Sequence, residues 1–104
     1  MTQNIFTDLD EGSDNENFLT LFESAGAKIE RIASHARASP KDFWYDQDHD
    51  EWVIVLKGEA SLEFEGGDIV ELKTGDYRLI QKHVKHRVER TTADTIWLAV
   101  HVQG

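Results

Sequence analysis

The sequence predicts an all-β domain, either a sandwich or a small barrel, and three observations carry this prediction. Short runs rich in β-branched and aromatic residues recur from Lys28 onward. Turn signals separate these runs about every eight to twelve residues. The chain has a single proline, Pro40, and prolines are rare inside sheets because they cannot donate a ladder hydrogen bond. We therefore expect little helix.

The first 25 residues are predicted to form an arm or covering segment, separate from a barrel at residues 26–104. Residues 1–18 are polar and acidic and are typical of an irregular segment. Residues 14–25 contain four large apolar side chains, Phe18, Leu19, Leu21 and Phe22. Their spacing fits a helical turn and a strand equally well, so periodicity leaves this segment open.

The predicted strands then follow in order. Residues 28–34 form one strand, the chain breaks at residues 38–40, and an aromatic strand begins at residues 43–45. The remaining strands are predicted at residues 51–57, 60–64, 69–72, 77–80, 84–90 and 95–102. Gly66 and Gly67 predict a hairpin turn, because glycine adopts positive φ without steric cost. A turn near residues 91–94 joins the last two strands, which we expect to pair as a hairpin.

Composition excludes several classes of function. The 104 residues fit one domain, and the absence of cysteine excludes disulfides, thiolate metal sites and cysteine nucleophiles. The formal charge of −9 repels phosphate backbones, so no nucleic-acid partner is expected. The N-terminus lacks the basic and apolar regions of a secretory signal, and no apolar run approaches the ~20 residues that span a bilayer. We therefore predict a cytoplasmic protein with no membrane partner.

Two spacings carry the functional signal. Glu51 is followed after six residues by Gly58, and Gly75 precedes His86 by eleven positions. On these residues the sequence resembles the cupin superfamily, whose motifs are G-x5-H-x-H-x3-4-E-x6-G and G-x5-P-x-G-x2-H-x3-N. The stretch FWYDQDHDEWVIVLKGEASLEFE also looks like short single-domain bacterial cupins. The resemblance, over roughly residues 28–102, implies a small double-stranded β-helix, or jelly-roll barrel, into which Glu51 and His86 both point.

The motifs are incomplete. A full match implies a metal held by three histidines and one glutamate, and this chain keeps Glu51 and His86. The two other histidine positions fall on Tyr45 and Gln47. The second motif departs at Gln81, His83 and Arg90. Half of the implied ligand set is therefore present.

A divalent metal is still one interpretation of the pocket. A carboxylate and an imidazole suit zinc, iron, manganese or nickel, so Glu51 and His86 are the first predicted ligands. If the segment stays extended, Tyr45, Gln47, His49 and Glu51 share one face. Gln47 then adds a carbonyl oxygen and His49 a second imidazole, which predicts an open, exchangeable site.

Other interpretations of the same residues stay open. Glu51 could be a buried carboxylate paired with Arg90, and His86 could be a hydrogen-bonded core histidine. His49 lies in an acidic, turn-like stretch that favours exposure. Arg90 shares a strand face with His86 and, if inward, suits a carboxylate or phosphate ligand, although a structural salt bridge is also possible. His101 lies opposite His86 if the final hairpin pairs Arg90 with Trp97, and a shift of one residue removes it from the pocket.

Three functions follow from these alternatives. The first is a metal-dependent enzyme of isomerase, lyase or oxygenase type acting on a small polar or anionic molecule. In that enzyme Tyr45 or His49 transfers a proton, and Arg90, Gln47 and His101 bind the substrate. The second is a metal-free barrel that binds or senses a small molecule, and the third is a dimeric interaction module. The fold alone does not choose between them.

A homodimer is predicted from the strand at residues 51–57. Both of its faces are apolar, with Val53 and Val55 on one side and Trp52, Ile54 and Leu56 on the other. A strand that is apolar on both faces needs a second layer. Either the N-terminal segment or a second subunit supplies that layer, and the resemblance to small cupins favours the second subunit.

Overall fold

The computed structural model describes residues 2–7, 17–34 and 38–103, and this part of the chain contains eight β-strands and no helix. The strands are β1 (Asn17–Glu23), β2 (Ala27–Ser34), β3 (Asp50–Lys57), β4 (Ala60–Phe64), β5 (Ile69–Leu72), β6 (Tyr77–Ile80), β7 (His86–Thr91) and β8 (Thr95–Val102). The all-β prediction is confirmed.

The strands form two antiparallel sheets. A five-stranded sheet has the order β1-β2-β8-β3-β6, and a three-stranded sheet has the order β5-β4-β7. Apolar side chains from both sheets meet in one core, because alternate residues of each strand point to the same side. The buried core residues are Val53, Val55, Ala60, Leu62, Phe64, Leu72, Ile80, Trp97 and Ala99.

The segment at residues 14–25, which periodicity left open, is a strand over residues 17–23. β1 pairs with β2 in an antiparallel ladder, with Phe18 opposite Ile32 and Phe22 opposite Ile29. Residues 14–16 lie outside the described residues. β1 therefore extends the five-stranded sheet sideways and does not form a layer on top of it.

The aromatic strand predicted at residues 43–45 does not form. Phe43 N donates to Pro40 O at 3.0 Å in a turn, and Tyr45 makes only an isolated bridge with His86. Asp42, within that turn, has a positive φ of 71°, which a regular strand does not contain.

The predicted hairpin of the last two strands is wrong. β7 pairs with β4 in the three-stranded sheet, whereas β8 lies between β2 and β3 in the other sheet. The chain crosses between the sheets at residues 92–94, where the hydroxyls of Thr92 and Thr95 are 2.8 Å apart. The turn signal was correct, but a turn does not determine whether its flanking strands pair with each other or change sheets.

Candidate functional site

A cavity of about 70 Å³ lies between the two sheets. A single buried water needs a cavity of roughly 10–15 Å³, so this cavity is large enough for several waters or a small ligand. Its polar lining residues are Glu30, Tyr45, Gln47, Glu51, His86 and His101. Its other lining residues are Phe18, Ile32, Val53, Leu62, Ile80, Val88 and Trp97.

Glu51 and His86 face each other inside the barrel. Glu51 is the inward residue at the start of β3, His86 begins β7, and the side chains are 9% and 5% exposed. His86 Nδ1 donates to the carbonyl oxygen of Val84 at 2.9 Å, which leaves Nε2 as the lone-pair nitrogen of the neutral ring. Nε2 lies 3.7 Å from Glu51 Oε1, which is too long for a hydrogen bond. The expected inward orientation of both side chains is therefore found.

The residues around this pair fit a metal only in part. Metal–ligand distances of about 2.1 Å to nitrogen and oxygen allow two donor atoms 3.7 Å apart to share one ion. The hydrogen bond from Nδ1 to a backbone carbonyl is also the kind that orients a ligating histidine. Within residues 2–7, 17–34 and 38–103, however, no group of three or more histidine or acidic side chains is arranged to hold an ion. The site fits a metal with two protein ligands and open positions, not the complete set of the family motif.

Tyr45 and Gln47 occupy the same cavity as Glu51 and His86. The Tyr45 ring stacks on the His86 ring, with centroids 5.5 Å apart and planes 25° apart. Two backbone hydrogen bonds between the same residues, of 2.7 and 3.1 Å, hold the bridge that positions Tyr45. The residues that stand at the missing histidine positions thus line the pocket, and they bring an aromatic ring and an amide in place of imidazoles.

His49 does not join Glu51 and His86. The chain bends at residues 48 and 49, so the extended face that was expected to run from Tyr45 to Glu51 is interrupted. His49 lines a neighbouring groove instead, where its Nε2 is 2.9 Å from His101 Nδ1. The prediction that His49 shares the inward face with Glu51 is therefore wrong.

His101 reaches the cavity by a different route from the one predicted. It lies opposite Glu51 in the β3–β8 register and opposite Lys28 in the β2–β8 register. Its Nε2 donates to Glu30 Oε1 at 2.9 Å. Adjacent strands of one sheet, rather than a final hairpin, bring His101 beside the pocket.

Four side chains form one hydrogen-bonded chain at the mouth of the cavity. Glu30 accepts from His101, His101 Nδ1 meets His49 Nε2, and His49 Nδ1 lies 3.2 Å from Asp48 Oδ1. Ionised carboxylates only accept hydrogen bonds, so His101 Nε2 must donate to Glu30 and His49 Nδ1 must donate to Asp48. The hydrogen bond between the two imidazoles needs a third N–H hydrogen. Two neutral imidazoles carry only two N–H hydrogens between them. Full satisfaction of this chain therefore requires one extra proton, shared by the histidine pair.

The pKa shifts agree with that requirement. The hydrogen bond to Glu30 raises the pKa of His101, against an opposing effect of burial, and the nearby Glu51 carboxylate adds to the rise. The same hydrogen bond lowers the pKa of Glu30, again against burial. The hydrogen bond from His49 lowers the pKa of the exposed Asp48 carboxyl. The charged forms of Glu30 and His101 stabilise each other.

The neighbouring groove that contains His49 has a volume of about 600 Å³, and it adjoins the cavity. It is lined by Glu23, Ser24, Ala25, Ala27, Lys28, Glu30, Gln47, His49, His101 and Gln103. Glu30, Gln47 and His101 line both spaces, so these three side chains stand where the groove meets the inner cavity.

Arg90 lies outside the cavity, contrary to the expected inward position. Its guanidinium is 3.9 Å from the Glu71 carboxylate, and the two side chains are 42% and 67% exposed. A bulge causes this: Leu62 pairs with Val88 and Ser61 with Arg90, so Glu89 is an extra residue and the alternation reverses. Thr91 rather than Arg90 is buried. The Glu51–Arg90 pairing is therefore also absent.

Two cavity residues were missed as site candidates. Glu30 is one of several charged residues in a strand that mixes isoleucine with polar residues, and its hydrogen-bond partner His101 is 71 positions away. Trp97 reads as core from its apolar surroundings. The sequence did offer one indication, because Glu30 is an acidic residue on the same predicted strand face as the apolar Ile32. The order of strands in the sheet was still needed to place Glu30 beside His101.

Comparison with known proteins identifies the class. Residues 29–101 match the family described as Cupin domain, so this chain belongs to the cupin family. A crystal structure from Ralstonia eutropha JMP134, named as a putative mannose-6-phosphate isomerase, is 42% identical. The alignment covers 100% of this chain and 99% of that chain, with a TM-score of 0.94. No curated protein sequence matches significantly.

More distant structures share the fold alone. A cupin superfamily protein from Desulfitobacterium hafniense DCB-2 is 14% identical, with a TM-score of 0.79 over 92% of this chain and 84% of that one. An RmlC-like cupin from Shewanella frigidimarina NCIMB 400 is 15% identical, with a TM-score of 0.78 over 99% and 89%. The jelly-roll prediction is thereby confirmed. Among the described residues, no helix has the length and apolar character needed to cross a membrane.

Proposed function

We propose that the inner cavity binds a divalent metal through Glu51 and His86, together with a small polar ligand. The observation that carries this proposal is the 3.7 Å separation of His86 Nε2 and Glu51 Oε1. Two buried electron-pair donors that face each other beyond hydrogen-bond distance favour an electropositive partner between them. Zinc, iron, manganese and nickel all accept this donor pair.

The chain's own residues supply orientation and proton-handling groups around that position. The Val84 carbonyl holds the His86 ring, and the Tyr45 ring stacks against it. Gln47 lines the cavity and offers a neutral amide to a ligand. A bound metal would supply Lewis-acid polarisation of a ligand oxygen.

The name of the 42% identical relative raises an isomerase-type reaction on a phosphorylated sugar. Recognition of a phosphate favours arginine or lysine. Neither residue type is among the described residues that line the cavity, and Lys28 in the adjoining groove is 3.6 Å from Glu30. The lining thus supports a small polar ligand better than a sugar phosphate. Turnover of mannose 6-phosphate by metal-loaded protein is the direct test of the isomerase reaction.

Metal binding is tested by measuring metal content after untagged, native purification, followed by titration with zinc, manganese and nickel. Wild-type protein is expected to hold one equivalent, and Glu51→Gln and His86→Gln are expected to lose at least tenfold in affinity. Glu71→Gln is the matched control, because this carboxylate is 67% exposed and is not among the residues that line the cavity. Circular dichroism checks that each variant is folded.

Folded wild-type protein that takes up none of the three metals rejects the metal proposal. A metal-free binding barrel is then the second candidate, and the absence of a three-residue ligand group among the described residues favours it. In that case Glu51 and His86 accept hydrogen bonds directly from a ligand.

We also propose that the outer face of the five-stranded sheet pairs with a second copy of the chain. On this face Trp52 and Ile54 of β3 lie opposite Leu79 and Tyr77 of β6, and Leu98 and Val100 of β8 continue it. β1 lies beside β2, not over these side chains, so the described part of the N-terminal segment does not cover them. Exposed apolar patches of more than a few hundred Å² are unusual on monomers. A second copy would bury this face.

A further inference from the structure

His49 and His101 face each other in the groove, and each ring has a carboxylate on its outer nitrogen. His49 Nε2 is 2.9 Å from His101 Nδ1. Glu30 accepts from His101 Nε2 at 2.9 Å, and Asp48 Oδ1 lies 3.2 Å from His49 Nδ1. The two carboxylates hold the ring hydrogens on the outer nitrogens, so each neutral ring keeps its lone pair on the facing nitrogen. Two lone pairs this close together need a proton or a metal ion to bind to them.

We infer that the groove contains a second metal site, in which His49 Nε2 and His101 Nδ1 bind a copper(II) ion in place of the shared proton. Histidines that bind metals in proteins usually donate their other ring hydrogen to a carboxylate or a backbone carbonyl, as both rings do here. Imidazole suits copper, and copper(II) binds a given set of nitrogen ligands more tightly than zinc or nickel does. This site is separate from the proposed pair of Glu51 and His86, and neither site depends on the other.

The spacing of the two nitrogens favours copper(II) over zinc. With metal–nitrogen bonds of about 2.0 Å, nitrogens 2.9 Å apart form an angle of about 90° at the ion. That angle is typical of tetragonal copper(II), whereas the tetrahedral angle of zinc places its nitrogen ligands about 3.3 Å apart. The ring centroids are 5.0 Å apart, so each ring must tilt to direct its lone pair at the ion. The side chains of His49 and His101 are 18% and 14% exposed and line the groove, which leaves space for that tilt.

The charges around the histidine pair suit a divalent ion. Glu30 and Asp48 carry one negative charge each, so a divalent ion makes the four side chains neutral, whereas the shared proton leaves one negative charge. The other charged residues that line the groove, Glu23 and Lys28, have opposite signs. Among the described residues, no third histidine or acidic side chain joins the pair as a ligand. The remaining positions of the ion are therefore open to water in the groove, which makes the site exchangeable.

The test is a titration of untagged, full-length Glu51→Gln protein with copper(II), because this substitution disables the proposed inner site. One equivalent is expected to bind, and its electron paramagnetic resonance spectrum should show coupling to two imidazole nitrogens. His49→Gln added to Glu51→Gln is expected to weaken copper(II) binding at least tenfold and to remove the two-nitrogen pattern. Zinc is expected to bind to Glu51→Gln protein at least tenfold more weakly than copper(II). Circular dichroism checks that each variant is folded, and the spectrum of Glu51→Gln protein tests the ligand pair even if the double variant is unfolded.

His83→Gln, also added to Glu51→Gln, is the matched control. His83 Nδ1 is 2.9 Å from a carboxylate oxygen of Asp46, but no second imidazole faces it among the described residues. This variant is expected to keep the copper(II) affinity and the spectrum unchanged. The inference is overturned if removal of His49 leaves the affinity unchanged, if the spectrum lacks the two-nitrogen pattern, if zinc binds as tightly, or if no copper(II) binds. Since every protein in this test lacks the Glu51 carboxylate, none of these results decides whether the inner cavity of the wild-type protein binds metal.

Discussion

Glu30 of β2 and His101 of β8 form a hydrogen bond of 2.9 Å at the entrance to the cavity. The side chains are only 10% and 14% exposed. Two sheet registers place them there: Glu30 lies opposite Ala99, and Lys28 lies opposite His101, so the two side chains are diagonal neighbours on the same inward face. We therefore expect this pair to make the stability of the protein depend on pH.

We expect the free energy of unfolding contributed by this pair to be greatest between the ordinary pKa values of 4.5 for Glu30 and 6.5 for His101. The raised pKa of His101 means that its contribution is complete below 6.5 and is lost as the pH rises through the higher value in the folded state. The lowered pKa of Glu30 means that its contribution is complete above 4.5 and is lost as the pH falls through the lower folded value.

Glu30→Gln is therefore expected to destabilise the protein by about 1–3 kcal/mol at about pH 5.5. The difference from wild type should shrink as the pH rises through the raised pKa of His101, because the positive charge that pairs with Glu30 is then lost. Urea unfolding across this range measures both effects. Glu71→Gln, on the surface, is the control. A deficit for Glu30→Gln that is the same at every pH would contradict the coupling of the two charges.

Leu62→Ala is expected to lower the free energy of unfolding by about 2–5 kcal/mol, because Leu62 is 2% exposed and part of the core between the sheets. Ile69→Ala removes similar apolar atoms from a side chain that is 55% exposed at the edge of the three-stranded sheet, and a change of no more than about 0.5 kcal/mol is expected. Chemical denaturation compares the two. Similar losses in both variants would mean that Leu62 does not pack as described.

Gly58→Ala is expected to destabilise by about 2–5 kcal/mol for two reasons. The residue has a φ of +81°, and an added Cβ would lie 2.7 Å from Thr92 Oγ1 and 2.8 Å from Thr95 Oγ1. Gly75→Ala isolates the backbone effect, because Gly75 has a φ of +92° and nothing within 4 Å of an added Cβ. It should cost only about 1–2 kcal/mol. Equal thermal shifts for the two variants would rule out the close approach at the crossing between the sheets.

Light scattering during size-exclusion chromatography tests the proposed dimer. Wild-type protein is expected at twice its chain mass of 11.9 kDa. Leu79→Glu is expected to give monomers, since it places a charge on the apolar outer face, where Leu79 is 54% exposed. Ile69→Glu, on an exposed position of the other sheet, should remain dimeric. A monomeric wild-type protein at high micromolar concentration would exclude this interface.

Local pattern predicted most of the strands because their residues alternate between core and surface. In β3, for example, the alternation of Val53 and Val55 with Trp52 and Ile54 predicts a strand without reference to the neighbouring strands. The pattern failed where the chain departs from regular alternation. The bend at His49 moved that side chain from the cavity to the adjoining groove, and the bulge beside Arg90 turned that side chain outward.

The amino-acid sequence alone determined the fold class, through its strand and turn patterning, and the family resemblance, through the two motif spacings. That resemblance in turn implied the inward positions of Glu51 and His86. Only the tertiary structure decided which strands are neighbours. It placed His101 beside Glu30 and His49, moved Arg90 to the surface, and left the buried Trp97 indole N–H without a hydrogen-bond partner among the described residues. Sheet order and irregular backbone control these contacts, and neither follows from the two-residue period of a strand, because that period fixes the face of a residue and not the residue it meets.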